Sequence, residues 1–208
     1  MKNPKWLLIG AIALFSFQIK SPSTFDLNNE AVAMENRLFA EIEDYISDFP
    51  SDTSTIPPER RQALREITRY AEEGLGKNQD VKLTFICTHN SRRSHLAQIW
   101  TAVAANYYGL GESISSYSGG TETTAFNPRA VAALQRAGLQ LNSEDHSTNP
   151  RYSVRFSEEG SPLECFSKKY SDESNPQSGF AAIMTCSHAD ESCPIVSGAE
   201  ARIATPYV

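Results

Sequence analysis

Basic charge is in short supply in this chain. Nineteen Lys and Arg stand against 25 Asp and Glu, for a formal charge of −6. No basic stripe stands out, which argues against nucleic acid as a partner. Cysteine is scarce as well, with four thiols in 208 residues, at Cys87, Cys165, Cys186 and Cys193. A disulfide-stapled scaffold concentrates more cysteine in less chain, so these four are expected to be reactive or redox-active. There is no internal repeat, which sets solenoids and propellers aside.

Long apolar runs are missing too. The one apolar stretch, Trp6 to Ile19, follows Lys2 and Lys5. It has the basic and apolar regions of a signal peptide and is too short for a comfortable span of ~20 residues. Lys20 and the polar residues after it argue against a longer one. Ala31-Val-Ala33 has the small residues of a cleavage site, but far downstream. Two alternatives stay open. Residues 1–33 export or anchor the protein, with membrane contact only through 6–19, or the start is Met34 and the protein is cytoplasmic.

What is present suffices for a core, since 40% of the residues are hydrophobic and 10% aromatic. That fits one domain with extensions. Leu38, Phe39, Ile42, Tyr45 and Ile46 fall at helical spacing and predict a helix over Glu35–Ile46. Pro57 and Pro58 open a second, with Leu64, Ile67, Thr68 and Ala71 on its apolar face and Gly74 and Gly76 at its end. Residues 34–79 thus read as a helical extension covering a sheet. The remainder predicts strand 81–87, helix 92–108, strand 114–118, helix 128–137, strand 180–185 and a last strand near Arg202–Thr205. Such alternation implies an α/β fold, a small parallel sheet flanked by helices. Residues 143–178 show weak periodicity and read as an insertion or a mobile loop over the site. Tyr152, Phe156, Phe166 and Tyr170 would fasten that segment to the core rather than bind an aromatic substrate.

The segment richest in chemistry is Cys87-Thr-His-Asn-Ser-Arg-Arg93-Ser94. It lies between a predicted strand and a predicted helix. Helix N-termini carry amides without intrahelical partners and favour negative charge. A loop there, formed by Thr88, His89, Asn90, Ser91, Arg92 and Arg93, suits a tetrahedral oxyanion. Arg93 can add a bidentate clamp. The same positive field favours the thiolate of Cys87, its nucleophilic form. Ser94 is placed to hydrogen-bond that sulfur or a leaving group. The plain alternative, Cys87 as a small buried hydrophobe, leaves the adjoining Arg93 and Ser94 unexplained.

Strand, C-x5-R-S and helix together resemble the low-molecular-weight protein tyrosine phosphatase superfamily, which includes the thioredoxin-coupled arsenate reductases. Tyr117-Ser-Gly-Gly-Thr-Glu122 and Asn127-Pro-Arg-Ala-Val131 resemble its downstream segments. Thr185-Cys-Ser-His-Ala-Asp-Glu-Ser-Cys-Pro194 resembles the two-cysteine segment of the reductase branch. The resemblance spans about residues 80–142 and 179–208 by these motifs. It implies an enzyme that uses Cys87 as nucleophile on a phosphorus or arsenic oxyanion. In the reductase branch it implies that Cys186 and Cys193 complete a thiol relay, with no bound cofactor and a thioredoxin-type reductant. A phosphatase acting on phosphotyrosine needs neither of those cysteines. A non-catalytic oxyanion-binding or redox-sensing module is the third alternative. No metal is expected: Cys186, His188 and Cys193 make C-x-H-x4-C, an unusual zinc spacing. Cys165 matches nothing in the family.

Three departures stand out. His89 and Arg92 replace the Gly and Cys common in family loops. The family's general acid lies in an Asp-Pro pair after the last strand, and this chain reaches Thr205-Pro-Tyr-Val208 about where that pair would begin. A domain incomplete at its C-terminus is therefore expected, with Asp190 the nearest substitute acid by position.

Overall fold

The computed structural model describes residues 37–49, 54 and 56–207. The signal-like segment over 1–33 and the alternative start at Met34 lie outside them. The expected parallel sheet is present. Strands β1 (Val81–Cys87), β2 (Ile114–Gly120), β6 (Phe180–Cys186) and β7 (Ala199–Tyr207) lie side by side in the order β2-β1-β6-β7. Every pairing is parallel. All seven residues of β6 are buried, as are six of the seven in β1. Near-continuous apolar runs are what a parallel strand covered on both faces requires.

Helix α3 (Arg93–Tyr107) carries the chain from β1 to β2. Eleven of its 15 residues are buried. The small residues among them explain how it can be enclosed: Ala97 and Ala105 face the sheet cluster, while Ile99, Trp100 and Val103 face the helical one. Helix α4 (Pro128–Arg136) starts with Pro128 in its first turn, and the Asn127 side chain accepts from the Arg129 amide at 3.0 Å. These are the expected roles of those two residues at a helix start.

The N-terminal extension divides its work. Helix α2 (Pro58–Leu75) buries Ile67 and Ala71 against the sheet. Helix α1 (Ala40–Ser47) packs instead on α3 and α4, with Tyr45 stacked on Trp100 at 5.7 Å. Among the described residues α1 begins later than the spacing predicts. Leu38 forms an isolated bridge with Ser157, and the Phe39 amide donates to the Phe156 carbonyl at 3.0 Å. Extended pairing with a distant segment takes those two residues out of the helix.

Residues 143–178 contain strands of their own. Strands β3 (Gln140–Asn142), β4 (Tyr152–Arg155) and β5 (Leu163–Cys165) form an antiparallel sheet in the order β3-β4-β5. Leu141, Val154 and Cys165 are buried beneath it in the helical cluster. Phe156 and Phe166 are buried, and Tyr152 meets Phe126 edge-on at 5.6 Å. These aromatics anchor the segment to the core.

Candidate functional site

Because β1 and β6 run parallel, their carboxyl ends emerge at one edge of the sheet, where open α/β folds bind ligands. Cys87 ends β1, and after five intervening residues Arg93 opens α3. Cys87 and Ser94 are both buried, with sulfur and hydroxyl 3.1 Å apart. The Asn90 amide group donates to Ser94 Oγ at 2.9 Å. That donor occupies a lone pair and leaves the Ser94 proton for the Cys87 sulfur.

Asn90 holds the loop's shape. Its φ is +42°, in the left-handed region that asparagine tolerates better than most residues. Its side-chain oxygen accepts the Lys168 amide at 2.9 Å. One buried side chain therefore ties the loop to α3 on one side and to the segment after β5 on the other.

The end of β2 forms the second wall. The Thr121 amide donates to the Cys87 carbonyl at 3.1 Å and the Glu122 amide to the Thr88 carbonyl at 2.8 Å. Ser167 Oγ donates to the His89 carbonyl at 2.9 Å, and the Asn127 amide to the Ser91 carbonyl at 2.9 Å. No described peptide bond is cis. In a planar trans peptide the following N–H points opposite the carbonyl. The amides of His89, Asn90 and Arg92 therefore point away from those partners, as donors for an anion would. Glycine makes the close packing possible. A Cβ on Gly120 would lie 2.7 Å from Asn90 N and from the Thr88 carbonyl oxygen, and one on Gly119 would lie 2.3 Å from Tyr170 Cα.

Cys186 ends β6 and precedes the short helix α5 (Ser187–Ser192). It is buried, and its sulfur lies 3.5 Å from Thr88 Oγ1. Burial pushes this thiol's pKa up. Hydrogen bonds from the Thr88 hydroxyl, the Ala189 amide and the Thr88 amide, with the Arg93 charge, outweigh that and hold it below the ordinary cysteine value. Cys87 and Cys186 share an apolar cluster with Ala189 and Val196, and Cys193 packs partly buried against it. All four cysteines are free thiols.

Other sequence candidates fall elsewhere. Cys165 is fully buried in the other cluster, and burial above all raises its thiol to about 12. Asp190, the nearest substitute acid, is ion-paired with Arg202. His89 reaches Glu122, Nε2 to Oε2, at 3.2 Å on the exposed rim. No cluster of three or more His, Cys, Asp or Glu suited to a metal occurs among the described residues. Two participants were not singled out from the sequence. Lys168 and Ser167 brace the loop through contacts 78 residues away in the chain, and no local pattern announces such contacts.

A family model described as low molecular weight phosphotyrosine protein phosphatase matches residues 82–158. Over residues 82–158 the chain is similar to that family. The match includes Cys87 to Ser94 and runs past Asn142 through β4. Arsenate reductase 2 of Staphylococcus epidermidis is 29% identical over 112 residues, and that of Staphylococcus haemolyticus 30%. In both, the aligned region is 54% of this chain, and the chain spans 65% of the relative's length. A solved thioredoxin-dependent arsenate reductase of Corynebacterium glutamicum aligns over 98% of this chain and 84% of its own, at 16% identity and a TM-score of 0.37. That likeness is too slight to assign any residue.

Proposed function

We propose that this chain is a cysteine-dependent enzyme that reduces arsenate through a relay of Cys87, Cys186 and Cys193. The observation that carries the proposal is Cys186, whose thiol is hydrogen-bonded to the Thr88 hydroxyl of the Cys87 loop. A second thiol held against the first one's loop serves no purpose in phosphate hydrolysis.

The chemistry begins with Cys87 attacking arsenic, with loop amides and Arg93 holding the oxygens and a protonated oxygen leaving as water. Ser94 Oγ lies 3.1 Å from the Cys87 sulfur, within hydrogen-bonding reach of it. Cys186 thiolate then attacks the Cys87 sulfur. The sulfur–arsenic bond breaks with its electron pair left on arsenic, so arsenic(V) becomes arsenic(III) while two thiols become the Cys87–Cys186 disulfide. Cys193 attacks Cys186, frees Cys87 and leaves a Cys186–Cys193 disulfide for an external dithiol of thioredoxin type. The staphylococcal relatives named arsenate reductases support the same substrate.

Phosphotyrosine hydrolysis is the second reading, favoured by the description of the family model that matches. Cys186→Ser separates the two. It is expected to abolish arsenate reduction and to leave any aryl-phosphate hydrolysis nearly intact. Unchanged arsenate reduction in that variant would exclude the relay, and no turnover of either substrate by the native chain would leave only an oxyanion-binding module.

A further inference from the structure

We propose that His188 sets the protonation state of Cys186 through the Thr88 hydroxyl, as a positioning residue for the second thiol. The inference builds on the relay above. Three groups form a chain: Cys186 Sγ to Thr88 Oγ1 is 3.5 Å, and Thr88 Oγ1 to His188 Nδ1 is 3.3 Å. Ser192 Oγ donates to the His188 carbonyl at 2.6 Å, which commits its proton, so at 3.5 Å it offers Nδ1 only a lone pair. When Nδ1 is protonated it donates to Thr88 Oγ1, and the Thr88 proton is directed at the Cys186 sulfur. A histidinium, a hydroxyl and a thiolate are then aligned donor to acceptor.

The need for such a chain follows from burial. Cys186 must be deprotonated to attack, yet it is 1% exposed and has almost no access to water of its own. His188, by contrast, is an exposed residue, open to the water that Cys186 lacks. In the transfer, the sulfur proton passes to Thr88 Oγ1 while the Thr88 proton passes to His188 Nδ1. A neutral thiol and imidazole become thiolate and imidazolium, and nothing is oxidised. Thr88 is the first residue after β1 and His188 lies in α5, so only the pairing of β1 with β6 brings them together.

The charges around the chain are few. Arg93 at the start of α3 acts on the Cys186 sulfur and favours the thiolate. Cys87 is the titratable neighbour from β1 in the same cluster. From β7, Arg202 is paired with Asp190 of α5. Glu191 and Cys193 are the remaining titratable groups of α5 and its end.

The test titrates Cys186 directly, by the 13Cβ shift of labelled cysteine in the full reduced chain without arsenate. His188→Asn keeps a polar atom near the Nδ1 position but cannot titrate there. It is expected to raise the Cys186 midpoint by roughly one pH unit. Thr88→Val is expected to raise it at least as far, and the double variant no further than Thr88→Val alone. His188 is exposed, so His188→Asn should fold even if Thr88→Val does not. An unchanged midpoint in His188→Asn, or fully additive shifts, would overturn the proposal. The shift is measured without arsenate, so it can appear even if arsenate reduction fails.

Discussion

Asn90 does three jobs with one buried side chain. It adopts a left-handed backbone, orients Ser94 and receives the Lys168 amide. Asn90→Ala is therefore expected to cost about 2–3 kcal/mol of stability, because two buried partners lose their bonds. Urea unfolding measures it, and a loss below 0.5 kcal/mol would show that the loop does not depend on it. Arg93→Lys keeps the charge and loses the planar fork. A fall of roughly 100-fold or more in kcat is expected, with unfolding unchanged. His95 makes a pH prediction. It is fully buried on Phe126, Nε2 donates to the Phe166 carbonyl, and Nδ1 has no partner. Burial above all, with Lys168 beside it, lowers its pKa from 6.5 to about 3. Between those values the unfolded chain binds the proton and the native one does not. Stability from this group is thus complete above pH 6.5 and falls as pH drops toward 3, by up to about 1.4 kcal/mol per unit. His95→Phe should flatten that slope; an unaltered slope would remove His95 as its cause.

At the scale of elements, α5 stands between the second and third thiols of the proposed relay. Cys186 and Cys193 flank a six-residue helix. At a rise of about 1.5 Å per residue, their Cα atoms sit roughly 10 Å apart, beyond the roughly 7 Å limit for a disulfide. Oxidation must therefore unwind α5. Amides of α5 should lose hydrogen-exchange protection in the Cys186–Cys193 disulfide form, and unchanged protection there would contradict the relay. The backs of the loop and of β2 meet at Gly120. Gly120→Ala forces a Cβ against backbone on three sides. A loss of about 2 kcal/mol or more is expected, with catalysis impaired alongside.

For the whole molecule, legibility followed distance along the chain. β1, α3 and β6 were readable because buried strands are apolar throughout and helices repeat every 3.6 residues. The loop was readable because Cys87, Asn90, Arg93 and Ser94 lie within eight consecutive residues. β4 and β5 escaped because strands of four and three residues are too short to show alternation. The start of α1 is not legible in the sequence because Leu38 and Phe39 suit a helix face as well as they suit the pairing with Phe156 and Ser157. The number of cysteines suggests reactive thiols, but the pairing of Cys186 with Cys193 as a relay rests only on resemblance. Their link to the loop, Thr88 to Cys186, spans 98 residues and exists only because β1 pairs with β6.

The relay itself is the central claim, and its first disulfide tests it most directly. Cys193→Ser removes the thiol that would resolve that disulfide. Mass spectrometry of this variant after one equivalent of arsenate is expected to find Cys87 joined to Cys186, with one arsenite released per chain. Recovery of both as free thiols, or a disulfide joining any other pair, would contradict the account.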